Sequence, residues 1–159
     1  MPIKTLDRTD RRILELLQAD GRLSNQELAE RVLLSPSPCL RRVRALERSG
    51  VIQRYAALVD PLRVGLELLA YVSVKLEKRG KMPVDQFTRA VQSWPEVIAC
   101  FSMTGEMDYL MRVQVEDLAH YSRFIMDKLL KQPGVIDIKS NFVLERVKET
   151  TALPLEQLA

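Results

Sequence analysis

Apolar positions recur at helical spacing through the first fifty residues and then give way to alternation. Ile13, Leu14, Leu16 and Leu17 form an apolar stripe behind Asp7, which is placed to cap a helix that Gly21 ends. Ser24 and Glu27 have the Ser-x-x-Glu spacing of a capping box, in which each side chain reaches the other's backbone N–H. They open a short helix over Asn25–Arg31, with Leu28, Ala29 and Val32 on its apolar side. After the turn Val32–Ser35, Ser35-Pro36 starts a third helix, since proline at the first helical position loses no needed N–H. Gly50 closes it, and Leu40, Val43 and Leu46 share one side. Two helices joined by so short a turn predict a helix-turn-helix unit.

From residue 51 the pattern changes. VIQRYAALV, residues 51–59, reads as a strand broken by Asp60-Pro61. Residues 68–76 alternate, with Leu68, Ala70, Val72, Val74 and Leu76 on one face. Val84, Phe87, Val91 and Trp94 predict a helix over about 84–93. Strands 97–103 and 109–115 flank Thr104–Asp108 as a hairpin. Asp117 caps a helix to about Lys131 with Leu118, Tyr121, Ile125 and Leu129 inward; Gln132-Pro133-Gly134 ends it, and 135–147 is a last strand. The order β-α-β-β-α-β is the ferredoxin-like split unit. The expected fold is α+β: a three-helix, winged-type helix-turn-helix domain at 1–52, a linker strand at 53–65, a ferredoxin-like domain at 66–148, and a tail at 149–159. Leu153, Leu155 and Leu158 fit that tail for docking on a neighbour.

Composition narrows the chemistry. At 159 residues and 47% hydrophobic, the chain has enough apolar material for a core, and no apolar run reaches the about 18 residues of a membrane span. The opening MPIKTLDRTDRR has no apolar stretch of a secretory signal, so the expected setting is the cytoplasm. Cys39 and Cys100 with the single His120 supply neither a disulfide framework nor a zinc ligand set, so no metal and no cofactor are expected. His120 has no evident partner for catalysis, and a non-enzymatic role is expected; the rival is a small ferredoxin-like enzyme using His120 as acid/base.

The net charge of +3 is unevenly spread. Residues 1–54 hold 11 Lys/Arg against 7 Asp/Glu, whereas the remainder is slightly acidic. Within residues 35–54, Arg41, Arg42, Arg44, Arg48 and Arg54 face only Glu47. Such a segment is either an arginine-rich solvated face or a contact for a polyanion. The helix-turn-helix frame favours double-stranded DNA: the third helix fits the major groove, with Pro38 and Arg41 near its leading end and Arg41 suited to a guanine edge. Ser35 and Ser37 with the helix N-terminus suit a phosphate; Arg42, Arg44, Arg48 and Arg54 suit further phosphates, and Ser24 and Asn25 at the start of the second helix complete the candidate set.

These residues carry a resemblance. LDRTDRRILELLQADGRLSNQELAERVLLSPSPCLRRVRALERSGVIQRYAALVDP closely resembles the DNA-binding domain of the Lrp/AsnC (feast/famine) transcription regulators, most distinctively at SPSPCLRRVRALERSGVIQRY. CFSMTGEMDYLMRVQV at Cys100–Val115 is similar to the family's amino-acid-binding segment, and QPGVIDIKSNFVLERVK to its last strand. The resemblance spans roughly residues 3–150. It departs at Leu33-Leu34, where family members commonly carry a glycine before the Leu-Ser pair. A leucine forced to positive φ there would cost roughly 1 kcal/mol.

By itself, Thr104–Asp108 is either an ordinary hairpin turn or a turn whose backbone N–H groups hold a carboxylate while Asp108 meets an ammonium. The resemblance implies the latter: the Gly105-x-x-Asp108 turn binds a free amino acid at an interface between dimers. The implied walls are Met103, Thr104, Glu106 and Met107 at the turn, Leu118 on the following helix, and Ser140 and Phe142 on the last strand. The apolar lining of Met103, Met107, Leu118 and Phe142 points to leucine or methionine. A lone ferredoxin-like sheet leaves one face uncovered, so a dimer is expected, and the resemblance implies assembly to an octamer. The expected function is a sequence-specific transcription regulator whose assembly and DNA affinity respond to an amino acid. The alternative within DNA binding is a nucleoid-organising protein without an effector.

Overall fold

The computed structural model describes residues 6–77 and 82–158. The chain divides into two units, one running to Leu58 and resuming at Lys148, the other spanning Val59–Val147.

The first unit contains α1 (Arg8–Ala19), α2 (Asn25–Arg31) and α3 (Pro36–Arg48). Of the three expected side-chain caps, those of Asp7 and Ser24 form and that of the Ser35 hydroxyl does not. Asp7 accepts from the Asp10 N–H at 2.8 Å and Ser24 from that of Glu27 at 3.3 Å, each with the return bond of a capping box. Ile13, Leu14, Leu28, Ala29, Cys39 and Leu46 form the core, fully or almost fully buried. Leu155 and Leu158 pack against it from the tail. The Gln18 side chain donates to the Leu153 carbonyl and accepts from its N–H at 2.7 Å, while Arg11 donates to the Leu158 carbonyl. The tail therefore docks on α1 of its own chain, where the sequence had suggested a neighbour. Three isolated leucines in a polar stretch define an apolar edge but not the surface it meets.

The α2–α3 turn explains the departure at residue 33. Leu34 N–H reaches back to the Ala29 carbonyl (2.9 Å) and Leu33 N–H to that of Glu30 (3.2 Å), the paired bonds of a Schellman end. That geometry needs a left-handed residue at its pivot, and Leu33 supplies it with φ 56°. A glycine would avoid a penalty of about 1 kcal/mol. The reversal carries Leu34 back to the core.

The second unit is an antiparallel sheet in the order β2-β3-β1-β4, built from β1 (Leu68–Leu76), β2 (Val97–Ser102), β3 (Tyr109–Val115) and β4 (Val135–Phe142). The register Val72↔Met111 and Val74↔Ile138 puts Ala70, Val72, Val74, Met111, Val113 and Val115 on one face. The helices α4 (Met82–Ser93) and α5 (Leu118–Phe124) cover that face through Phe87, Val91, Tyr121 and Phe124, joined by Trp94 just past the end of α4. Alternate residues such as Tyr71, Lys139 and Phe101 occupy the other face, which no helix among the described residues of the unit covers.

Three expectations need correction. Residues 51–59 form no strand: they alternate suitably but pair with no strand among the described residues, and a strand exists only by pairing. β4 ends at Phe142, opposite Ala70, and only one further bond, from the Val143 N–H to the Leu69 carbonyl at 2.9 Å, follows before the chain leaves β1. The last helix does not keep one register: it runs unbroken from Leu118, but Ile125–Leu129 take a π turn, with the Leu130 N–H bonded to the Ile125 carbonyl.

Candidate functional site

Four of the expected DNA-contacting side chains on α3 form a single exposed stripe. Ser37, Arg41, Arg44 and Arg48 recur at four- and three-residue spacing, and all four are exposed. Leu46 and Cys39 anchor the opposite side in the core. No ion pair among the described residues engages Arg41, Arg44, Arg48 or Arg54. The helix entry is unusual for a physical reason. Ser35 has the extended backbone of an N-cap (φ −73°, ψ 155°) but makes no side-chain cap bond. The residue three positions on, whose N–H would donate to the cap hydroxyl, is Pro38, which has no N–H to offer. The Ser35 hydroxyl thus remains exposed beside that of Ser37, at the positive end of the helix.

The other candidates are engaged within the fold. Ser24 is tied to Glu27, its hydroxyl donating to the carboxylate at 2.7 Å. That bond holds the Glu27 carboxyl below its ordinary range. Asn25 donates to the Pro36 carbonyl at 2.9 Å, fastening the start of α2 to the start of α3. Arg42 turns towards α1, its Nη1 donating at 2.8 Å to both Asp10 and Asp7. Those bonds raise the already high guanidinium pKa, Asp10 contributing first and Asp7 second. Asp7 is held low first by the Asp10 N–H, then by Arg42.

The expected ligand residues fall into two groups along β1. At its C-terminal end lies the hairpin turn. Gly105 takes φ 114°, a conformation closed to most side chains, and Met103 N–H donates to the Asp108 carbonyl at 2.8 Å. The Asp108 carboxylate accepts the Leu76 N–H at 2.8 Å, and its own N–H donates to the Val74 carbonyl. Asp108 thus braces the turn against β1. Glu106 pairs with Lys139 at 3.0 Å, which lowers the Glu106 carboxyl and raises the Lys139 amine. Met103 and Thr104 are exposed, and Met107 is half-buried.

Towards the other end, Phe142 lies opposite Ala70 and Ser140 opposite Val72. Tyr121 donates to the Ser140 hydroxyl at 2.5 Å and meets the Phe142 ring edge-on, centroids 5.0 Å apart. Burial pushes the Tyr121 phenol up. Leu118 is exposed on α5. Four residues of strand, roughly 13 Å, separate Val74 from Ala70. Within one chain the turn and Phe142 thus lie towards opposite ends of β1, with Ser140 between them.

Two sequence families match this chain. The Lrp/AsnC ligand binding domain matches residues 69–153, and the winged helix-turn-helix DNA-binding domain matches 6–53. The chain belongs to the Lrp/AsnC family. It is 44% identical to the leucine-responsive regulatory proteins of Escherichia coli K12 and Salmonella typhimurium over 155 residues, covering 98% of this chain and 94% of each relative. Its fold superposes with TM-score 0.95 on a transcriptional regulator of Neisseria meningitidis solved as an L-Met complex, 49% identical, covering 98% of this chain and all of that one. An AsnC family regulator of Agrobacterium tumefaciens gives 0.91 at 38% identity, covering 97% and 100%. This Lrp/AsnC chain is a DNA-binding transcriptional regulator with a ligand-binding domain. No helix among its described residues is long and apolar enough to cross a membrane.

The sequence offered His120 no partner at nucleophile spacing; the fold places two carboxylates near its ring. Nε2 lies 3.6 Å from Glu96 and Nδ1 3.9 Å from Glu116. The arrangement serves as an ion-pair cluster, because Lys128 donates to both Glu96 oxygens at 2.6 and 2.9 Å. Burial alone would raise the Glu96 pKa; the bond and charge of Lys128 outweigh it and hold the carboxyl low. The π turn sets the phase of this stretch, with Leu129 in the core and Lys128 on Glu96. Sequence spacing shows only Glu116, four residues before His120; Glu96 lies on a separate part of the chain and is brought in by packing.

Proposed function

We propose that this regulator inserts α3 into the DNA major groove and reads its site mainly through Arg41. Arg44, Arg48 and Arg54 then hold phosphates, and Ser35 and Ser37 hold one at the helix entry. The observation that carries this reading is the exposed Ser37–Arg41–Arg44–Arg48 stripe, free of internal carboxylates among the described residues. Arg42, Ser24 and Asn25 hold the frame that presents it. The setting is the cytoplasm, and the role is regulatory rather than enzymatic.

The second domain binds a free amino acid, methionine or leucine, at the Gly105–Asp108 turn. Three things support this: the Neisseria relative holds L-Met, the turn is rimmed by Met103 and Met107, and Asp108 is anchored where its carboxylate could meet an ammonium. The candidate residues split along β1, so the site is completed between subunits. Pairing through the uncovered sheet faces gives dimers, and dimers assemble to an octamer. The ligand shifts that assembly, and with it DNA affinity, by a coupling typically about 1–3 kcal/mol.

The test is a thermal-shift screen of the full chain over the twenty amino acids, followed by DNA binding with and without the ligands found. A ligand that binds the folded state raises Tm. Stabilisation by methionine or leucine and a changed affinity for one duplex over random DNA are expected. Equal affinity for every duplex with a steep salt slope, and no stabilising amino acid, would favour a nucleoid-organising role instead.

A further inference from the structure

The backbone around residue 33 is explained by the α2–α3 turn; its side chain is not. Among the described residues Leu33 is the one non-glycine with positive φ. The Schellman bonds need that φ and nothing beyond Cα, and Gly50 meets the same demand at the end of α3 with φ 76°. Leu34, not Leu33, makes the apolar contact that secures the turn. The isobutyl group of Leu33 is 92% exposed, so it adds no packing to its own domain. A strained conformation and an exposed apolar group thus coincide at one position, and neither helps the fold.

Its location supplies the use. Leu33 stands two residues before the α3 N-cap, at the same end of the helix as the exposed hydroxyls of Ser35 and Ser37. A side chain projecting there is beside whatever α3 enters. We propose that Leu33 is a further DNA-contact residue, laying its isobutyl group against apolar carbon of the duplex, either a thymine 5-methyl or a deoxyribose ring. Major-groove readers recognise thymine through such apolar contacts. This rests on the reading of α3 as the DNA-entering helix and adds to it a determinant outside the arginine stripe.

The test uses the full-length protein, a duplex selected for tight binding, and the variants Leu33→Gly and Leu33→Asn, both of which tolerate positive φ. Leu33→Gly relieves the turn and is expected to raise Tm by roughly 2–4 °C. Both variants are expected to bind the selected duplex roughly three- to ten-fold more weakly, with the salt slope unchanged because no phosphate contact is lost. Deoxyuridine substituted for each thymine in turn separates the two carbons. A thymine whose replacement weakens wild type but not Leu33→Gly identifies the methyl; weaker variants with no such position identify the sugar. Variants that bind as tightly as wild type, while Arg41→Ala binds weakly, would overturn the proposal and leave the α3 reading standing. An altered elution volume for Leu33→Gly would also overturn it, making Leu33 a subunit contact. Failure of wild type to bind any duplex would remove both readings.

Discussion

The guanidinium of Arg42 and the carboxylate of Asp10 are joined at 2.8 Å, and the Asp10 side chain is only 6% exposed. The same Nη1 reaches Asp7, the residue that caps α1. One arginine of the basic segment therefore locks α3 to the beginning of α1, while its neighbours Arg41 and Arg44 remain exposed.

Removing that lock should act on stability. Arg42→Ala leaves Asp10 without its main partner in a buried setting, a loss of roughly 1–3 kcal/mol. Urea unfolding at neutral pH should show it, whereas DNA binding measured well below the melting temperature should change little for cognate and random duplexes alike.

Arg41→Ala should behave oppositely. Its side chain makes no ion pair among the described residues, so the melting temperature is expected to be unchanged. Affinity for a selected site should fall by roughly 1–3 kcal/mol, with a much smaller loss on random DNA. Equal losses on both would reduce Arg41 to a phosphate contact.

Truncation before Glu149 should destabilise the helix-turn-helix unit. It removes Leu155 and Leu158 from the core edge and leaves Gln18 without its two-way bond to Leu153. The expected loss is roughly 1–3 kcal/mol, since the two leucines are only partly buried. Hydrogen exchange on α1 should accelerate while exchange in β1 and β3 stays unchanged.

At the ligand turn, charge and brace can be separated. Asp108→Asn keeps an oxygen to accept the Leu76 N–H but removes the charge. It should retain wild-type stability and lose the amino-acid response. Asp108→Ala should lose both. A normal response from Asp108→Asn in the thermal-shift assay would take Asp108 out of ligand binding.

The Glu96 cluster predicts a pH dependence of defined sign. Its folded-state pKa lies below the ordinary 4.5, so ionised Glu96 stabilises the fold at neutral pH. That stability is lost as pH falls from about 4.5 through the folded value. Glu96→Gln should be less stable than wild type at neutral pH and show a flatter acid limb in thermal melts between pH 5 and about 3.

Local signals were the legible part of this protein. Asp7, Ser24-x-x-Glu27 and Ser35-Pro36 fix where helices begin because a cap needs only its own neighbours, and the alternation of 68–76 fixes which face of β1 is buried. The exposed face of α3 follows from the same periodicity. The roles of individual charges do not follow from it. Arg41 and Arg42 are adjacent and chemically identical, yet one is exposed and the other spans two helices, because Asp7 and Asp10 lie some thirty residues earlier. Likewise residues 51–59 have the pattern of a strand without its partner, and His120 gains Glu96 only through packing of separate elements. By itself the sequence determined the three N-terminal helices, the buried face of β1 and the basic character of α3, all set by contacts within a few residues. Only the tertiary structure decided which arginine is structural, where the tail docks and how the ligand residues divide, since a buried charge, an apolar edge or a strand is defined by what meets it from elsewhere in the chain.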